Sequence, residues 1–139
     1  MALEVVATWR GGLATDVRAR EHTIRVDEPA TSGGGDSGMM PTELFCAALA
    51  SCFCLAVGFA AGKRDQQVPG LRVAVTAERA GDELRYERFV VTTSAELEPD
   101  QLAQLVRRAR PLCWVSNTLA SAVSVEYLHT TTVNEHFRK

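Results

Sequence analysis

Four cysteines are the residues of this chain with the clearest capacity for chemistry. Three of them fall within one apolar segment, and Cys113 lies 61 residues after Cys52. Sulfur atoms this far apart in sequence meet only through tertiary folding. A pair that meets can carry two-cysteine redox chemistry, in which one thiolate is oxidised and the second resolves it. The alternative is that Cys52 is an inert core residue, because free cysteine is among the most buried side chains.

The two remaining cysteines of the apolar segment are predicted to point away from Cys52. On a helix, Cys54 lies about 200° from Cys52, and Cys46 lies about 120° away on the other side. Both are therefore expected to be packing residues. A Cys-x-Cys pair within one helix does not converge easily on a single ion, so we predict no metal site and no cofactor. The histidines are scattered along the chain, at His22, His129 and His136.

The apolar segment is predicted to be one helix, from Pro41 to Gly62. Proline suits the first helical position, Glu43 follows in the first turn, and glycine is a common C-terminal stop. Residues 44–61 carry no charge, which is long enough for a membrane span. The run is rich in Ala, Cys, Ser and Gly, however, so we predict no membrane insertion. A helix that is apolar on all sides is expected to be a core helix, wrapped by a sheet or by a partner subunit.

The rest of the chain predicts an α+β domain that spans residues 1–139. Three strands should precede the core helix, with a flexible polar loop at Ser32–Gly38, and an antiparallel hairpin should follow. Two helices and a final strand complete the order β-β-β-α-β-β-α-α-β, in which a long buried central helix is wrapped by antiparallel sheet. The predicted ranges are 2–10, Leu13–Arg20 and His22–Asp27, then Leu71–Arg79, Glu83–Leu97, a helix from Pro99, Cys113–Ala120 and Val123–Val133.

Size and charge limit the possible partners. A chain of 139 residues covers such a core helix incompletely, so we expect a homodimer with a shared core. The net charge of −2 leaves no basic footprint for nucleic acid. The N-terminus lacks the pattern of a signal peptide, which predicts a cytoplasmic protein with free or catalytic thiols.

Two motifs resemble those of the OsmC/Ohr proteins, the osmotically inducible and organic-hydroperoxide-resistance family. The stretch GGGDSGMMPTELFCAALASCFCLAV is similar to the family's helix signature, with its Gly-rich loop, Pro41 and the Ser51–Phe53 triplet around Cys52. The second motif is a cysteine followed by serine at the start of a helix, and it resembles Cys113-Trp-Val-Ser116. The resemblance covers nearly the whole chain.

This resemblance implies two intertwined subunits with paired cysteines at the dimer interface. It also implies thiol peroxidase activity towards organic hydroperoxides in oxidative stress defence, with a dithiol such as dihydrolipoamide as the reductant. By the same analogy, Cys52 is the peroxidatic residue and Cys113 the resolving residue.

Two departures indicate a divergent OsmC-like branch. In the hydroperoxide-resistance branch a glutamate that pairs with an arginine directly follows the helix-starting proline, and this chain has Thr42 there. Glu43 comes one residue later, about 180° from Cys52 around the helix. The branch's arginine follows a Gly-Gly turn, whereas Leu13 follows it here. The sequence leaves three substitutes open, and these are Arg10, Arg18 and Arg20.

A peroxidatic thiol also needs a cation and an apolar pocket. Burial raises a thiol pKa, so a nearby guanidinium would be needed to keep Cys52 ionised. We predict a pocket lined by Met39, Met40, Phe45, Phe53 and Trp114. By contrast, Arg107, Arg108 and Arg110 are predicted to form a solvated helix end, and Ser116 is predicted to be a helix N-cap.

Two other functions stay open at this point. The same dimer can hold a small apolar ligand without catalysis, with the cysteines as packing residues. A long helix wrapped by antiparallel sheet also describes hot-dog thioesterases, in which Glu43 would serve as the acid at the helix start. The thioesterase reading leaves the spacing of Cys52 and Cys113 unexplained.

Overall fold

Three antiparallel strands open the fold in the computed structural model, which describes residues 2–132. The strands pair in the order β1-β2-β3, and tight turns join them. Gly11 and Gly12 both have positive φ in the first turn, a conformation that glycine adopts without a steric penalty. All three strands are shorter than the sequence predicts. They are β1 (Val6–Trp9), β2 (Thr15–Ala19) and β3 (His22–Val26).

The glycine-rich loop that follows is held in place, in contrast to the flexible segment that the sequence predicts. A short 3-10 turn at Ala30–Ser32 begins it, and a single parallel bridge between Val26 and Met39 closes it. Asp27 is 97% buried and lies at its centre. The loop therefore fixes where the next helix starts.

The core helix α1 spans Pro41–Gly62, in agreement with the predicted limits. One face is buried against the hairpin and the later helices, and it carries Leu49, Phe53, Ala56, Val57, Ala60 and Ala61. The opposite face is exposed within this chain, with Leu55 74% and Phe59 57% accessible. Among the described residues, α1 is the one helix long and apolar enough to cross a membrane. Its buried face is compatible with a soluble fold.

A β-hairpin covers the buried face of α1. Strand β4 (Arg72–Arg79) pairs antiparallel with β5 (Tyr86–Ser94) along its whole length. The predicted alternation along β4 is confirmed. Val73 and Val75 are half-buried against the core, and the residues that alternate with them, Arg72, Ala74 and Thr76, are exposed. The hairpin and α1 thus form two layers around one apolar core.

Two further helices complete the core from the other side. Helix α2 (Pro99–Ala109) buries Leu105 and Ala109 against α1. Pro111 ends the α-helical hydrogen bonding, as predicted, and the chain continues as a 3-10 turn over Arg110–Leu112. Helix α3 (Trp114–Leu119) follows directly. Because this connection is short, Cys113 lies close to the part of α2 that packs in the core.

The predicted final strand at Val123–Val133 is wrong for the described residues. Residues 123–132 form no strand, and Val133 lies outside the described range. Val123, Val125 and Tyr127 alternate as the sequence pattern requires, but all three are at least 60% exposed. A strand needs a neighbour for its backbone hydrogen bonds, and neither sheet of the described chain offers one here.

Candidate functional site

Cys113 occupies the start of α3 and has no exposed surface. The 3-10 turn at Arg110–Leu112 places Cys113 in the apolar core cluster, to which α1 contributes most residues. The Cys113 carbonyl accepts hydrogen bonds from the Asn117 backbone N–H at 3.0 Å and from the Ser116 hydroxyl at 3.2 Å. Cys113 is therefore the N-terminal cap residue of α3, and the prediction that Ser116 holds this position is wrong.

Folding brings Cys52 and Cys113 together. Cys52 is half-buried on α1, where it packs against the core cluster that contains Cys113. Hydrogen bonding from the Cys52 side chain is one of the influences that lower the pKa of the Cys113 thiol. Both residues are free thiols in this structure. Two sulfur atoms in such contact are positioned to form a disulfide after one of them is oxidised.

The environment of Cys113 favours its thiolate. Burial is the largest influence and raises the pKa of this thiol. Hydrogen bonding from the Ser116 hydroxyl and backbone N–H, from Cys52 and from the Val115 N–H outweighs burial, so the pKa lies below its ordinary value of 9.0. The surroundings of this buried thiol thus stabilise negative charge.

The three candidate arginines lie in the opening sheet, where other groups engage two of them. Arg10 Nε is 2.7 Å from an Asp16 carboxylate oxygen, and Arg18 Nε donates to the Arg20 carbonyl at 2.7 Å. Arg20 has a φ of 55° in the turn between β2 and β3. Among the groups of the described chain that set the pKa of Cys113, none is a guanidinium. That one of these arginines activates Cys52 stays a prediction.

Glu43 stabilises the start of α1 and has no contact with the thiol pair among its hydrogen bonds in the described chain. Its carboxylate accepts a hydrogen bond from the Met40 backbone N–H at 2.9 Å, which satisfies a donor at the start of α1. It lines a cavity with Cys46, on a different side of the helix from Cys52.

The predicted pocket residues do not converge on one cavity of the described chain. Phe53 lines a cavity of about 850 Å³ together with Ser116, which contacts Cys113. Met39 and Met40 line a second cavity of about 390 Å³, beside Cys46. Phe45 lines a third with Tyr86, and its ring lies 5.6 Å from that of Phe89. Trp114 is 81% exposed.

Sequence reasoning missed the polar residues of the cavity beside the thiols. Arg107, Arg110 and Asn117 line it along with Phe53. The arginines were predicted to be a solvated helix end, and they are indeed exposed, but two of them face this cavity. Their spacing of three residues predicts that they lie on one side of the helical turn where α2 ends, and this spacing could have identified them.

Sequence reasoning also missed Asp27. Its carboxylate accepts hydrogen bonds from the Glu28 and Gly35 backbone N–H groups and from both the N–H and the hydroxyl of Ser37, the last at 2.6 Å. Hydrogen bonding from Ser37 is the main cause that lowers the pKa of Asp27 to about 2. Asp27 is therefore a structural anion that organises the loop before α1.

No group of three or more potential metal ligands occurs within residues 2–132.

Comparisons with known proteins place the chain among OsmC-like folds. Residues 33–128 match the family model described as OsmC-like protein. No curated protein matches. A solved structure from Psychrobacter arcticus 273-4, named for osmotic stress induction and detoxification response, is 23% identical, with a TM-score of 0.72 over 85% of this chain and 88% of that one.

Two further solved structures carry names that refer to hydroperoxides. The organic hydroperoxide resistance protein OsmC of Legionella pneumophila is 19% identical, with a TM-score of 0.62 over 86% of this chain and 89% of that one. The organic hydroperoxide resistance protein OhrB of Bacillus subtilis is 22% identical, with a TM-score of 0.60 over 85% and 90%. At these identities the likeness shows the fold.

Proposed function

Because this chain belongs to the OsmC-like family, we propose that it is a thiol-dependent peroxidase that reduces organic hydroperoxides. The contact between Cys52 and Cys113 is the observation that carries the proposal. Two thiols on separate elements, one half-buried and one fully buried, form the pair that a two-cysteine peroxidase requires. The names of the related hydroperoxide resistance proteins are consistent with this chemistry.

The proposed reaction begins at Cys52, which is the more accessible thiol of the pair. Its thiolate attacks the distal oxygen of the hydroperoxide, the O–O bond breaks, and the alkoxide takes up a proton and leaves as an alcohol. Cys52 is then a sulfenic acid. The Cys113 thiolate attacks this sulfur, hydroxide leaves as water after protonation, and a disulfide forms.

The surroundings of Cys113 support its resolving role. Resolution needs a thiolate next to the sulfenic acid, and hydrogen bonding from Ser116, Val115 and Cys52 lowers the pKa of Cys113 despite burial. A dithiol reductant would then open the disulfide by two exchange steps, restoring both thiols and leaving the reductant as a disulfide.

We further propose that the active form is an intertwined cytoplasmic homodimer, in which residues 1–139 form a single domain. The exposed apolar face of α1 supports this, with Leu55 and Phe59 more than half accessible. The opening sheet supports it too, because most of its residues are exposed and it joins the following segment through one bridge. In such a dimer, Arg10, Arg18 or Arg20 in the sheet of one protomer would supply a cation to Cys52 of the other.

Single-turnover oxidation tests the peroxidase. Reduced protein is mixed with one equivalent of cumene hydroperoxide, and free thiols and alcohol product are measured. We expect Cys52→Ser to fall to the background rate, because the attacking sulfur is absent. Cys113→Ser should consume peroxide once and stop at a sulfenic acid that dimedone labels.

Cys54→Ser is the matched control, since Cys54 lies on the same helix and is also half-buried. It should react as the unchanged protein does. Unchanged peroxide consumption in Cys52→Ser would remove the proposal.

A non-catalytic ligand-binding dimer is the second candidate function. The large apolar cavity favours it, as does the lack of a guanidinium among the described groups that act on Cys113. Native mass spectrometry that shows a retained ligand, together with two thiols inert to peroxide, would establish it instead. The thioesterase alternative gains no support, because Glu43 caps the helix.

A further inference from the structure

The cavity beside the thiols combines an apolar body with two unpaired cations. Its volume is about 850 Å³, enough for a small organic molecule. Leu49 and Phe53 of α1 line it. Ser116, which contacts Cys113, lines it as well. Arg107 and Arg110 line it from the end of α2, and no acidic residue lies among its lining residues.

Both guanidinium groups are available to a ligand. Neither forms an ion pair with any residue in the described part of the chain. The other polar side chains of the cavity are engaged internally, since Asn117 Nδ2 donates to the Pro111 carbonyl at 3.0 Å and Ser116 Oγ to the Cys113 carbonyl at 3.2 Å. The charged groups of the cavity are therefore all cationic.

We propose that Arg107 and Arg110 are specificity-determining residues that select organic hydroperoxides bearing a carboxylate. The apolar body of such a molecule fits against Phe53 and Leu49, and its carboxylate pairs with the planar guanidinium groups. The hydroperoxide group is then held on the Ser116 side, next to the thiol pair. The reaction in this inference rests on the proposed peroxidase function. The binding of a carboxylate rests on the cavity alone.

A matched pair of substrates tests the selection. Cumene hydroperoxide is compared with the same molecule carrying a carboxylate on its ring, in single-turnover assays at low salt. We expect the unchanged protein to favour the carboxylated form by about tenfold, from charge-assisted hydrogen bonding. The Arg107→Gln/Arg110→Gln double variant should lose the preference, so that the ratio of the two rates falls to about one.

A binding measurement separates this inference from the peroxidase proposal. Titration calorimetry with 4-isopropylbenzoate, which cannot oxidise a thiol, should show binding that weakens about tenfold in the double variant. Arg108→Gln is the control, because Arg108 lies on the same helix but lines another cavity, with Lys63 and Arg64. It should bind as the unchanged protein does, and thermal melting should show all variants folded.

The outcomes are distinguishable. If neither hydroperoxide consumes thiols, the peroxidase proposal fails, and the benzoate titration still decides whether the cavity binds carboxylates. If the double variant binds the benzoate as tightly as the unchanged protein, or keeps the preference for the carboxylated hydroperoxide, the assignment of Arg107 and Arg110 is overturned.

Discussion

At the scale of single residues, accessibility and hydrogen bonding differ between the two paired thiols. Cys52 has the access that a first attack requires, whereas Cys113 has the hydrogen-bond donors that stabilise a thiolate. In a two-step reaction these properties are complementary, because the resolving thiol must be nucleophilic and shielded from peroxide. Ser116 is the residue that contributes most to lowering the pKa of Cys113.

We expect Ser116→Ala to raise the pKa of Cys113. The substitution removes the hydroxyl donor, while burial, which raises the pKa, is unchanged. Thiolate absorbance in the ultraviolet is measured against pH in a background of Cys46→Ser and Cys54→Ser. The titration should move to higher pH. Thr118→Ala removes a hydroxyl that donates to the Trp114 carbonyl on the same helix, and it should leave the titration in place. Equal curves for both variants would contradict the assigned role of Ser116.

The carboxylate of Asp27 predicts a second effect at this scale, on stability against pH. Its pKa is lowered from 3.8 to about 2 in the folded chain, mainly by the Ser37 hydrogen bonds. A lowered carboxyl pKa stabilises the fold above the unfolded value and loses that contribution as pH falls towards the folded value. Urea denaturation at neutral pH and at about pH 3 should therefore show a smaller loss on acidification for Asp27→Asn than for the unchanged protein.

Asp82→Asn is the control for this measurement, since Asp82 is exposed in the hairpin turn. It should lose as much stability on acidification as the unchanged protein. An equal loss for Asp27→Asn would show that the Asp27 hydrogen bonds do not contribute to the folded state in the way described.

At the scale of elements, the glycine-rich loop and α1 act as one unit. Asp27 gathers the loop amides, the loop carries the chain to Met40, and the Glu43 carboxylate caps the helix start. Two glycines make this path possible, because Gly34 lies against the Glu28 carbonyl and Gly38 against the Arg25 carbonyl. The position of Cys52 on α1 thus depends on close backbone contacts well before it in the chain.

Replacement of Gly34 by alanine is expected to destabilise the fold by about 2 kcal/mol or more. An added Cβ would overlap the Glu28 carbonyl oxygen, so the backbone of the loop must shift. Chemical denaturation measures the free energy of unfolding. Gly62→Ala is the matched control, because a Cβ there meets nothing within 4 Å at the end of α1. It should be neutral or stabilise by up to about 1 kcal/mol. Equal effects of the two substitutions would show that the loop does not require this contact.

At the scale of the whole molecule, the chain leaves much apolar surface uncovered. The outer face of α1 exposes Leu55 and Phe59, and the opening sheet exposes Trp9 at 71%. Exposed apolar patches on this scale mark interaction sites. The proposed dimer would cover both surfaces at once, because the sheet of each protomer would pack on the helix of the other.

A charge placed on the outer face of α1 should break the proposed dimer. Leu55→Glu buries an unpaired carboxylate if a partner covers this face, and that costs more than several apolar contacts return. Size-exclusion chromatography with light scattering should show a dimer for the unchanged protein and a monomer or aggregate for the variant. Leu84→Glu is the control, because Leu84 is fully exposed at the hairpin turn. A monomeric unchanged protein at micromolar concentration would rule out the dimer.

Local signals alone determined several elements of this protein. The limits of α1 follow from Pro41 at its start and Gly62 near its end, because helix termini are set by backbone chemistry within one turn. The face alternation of β4 follows from its two-residue period, and the end of α2 follows from Pro111. The family motifs around Cys52 and Cys113 also identified the fold before any coordinates.

Only the tertiary structure decided what those elements bring together. It placed Cys113 against Cys52, turned Arg107 and Arg110 to the cavity beside them, and formed no strand at residues 123–132. It also made Asp27 the centre of a loop that looked merely flexible. Contacts across dozens of residues depend on how whole elements pack, and no local pattern of residue types encodes that packing.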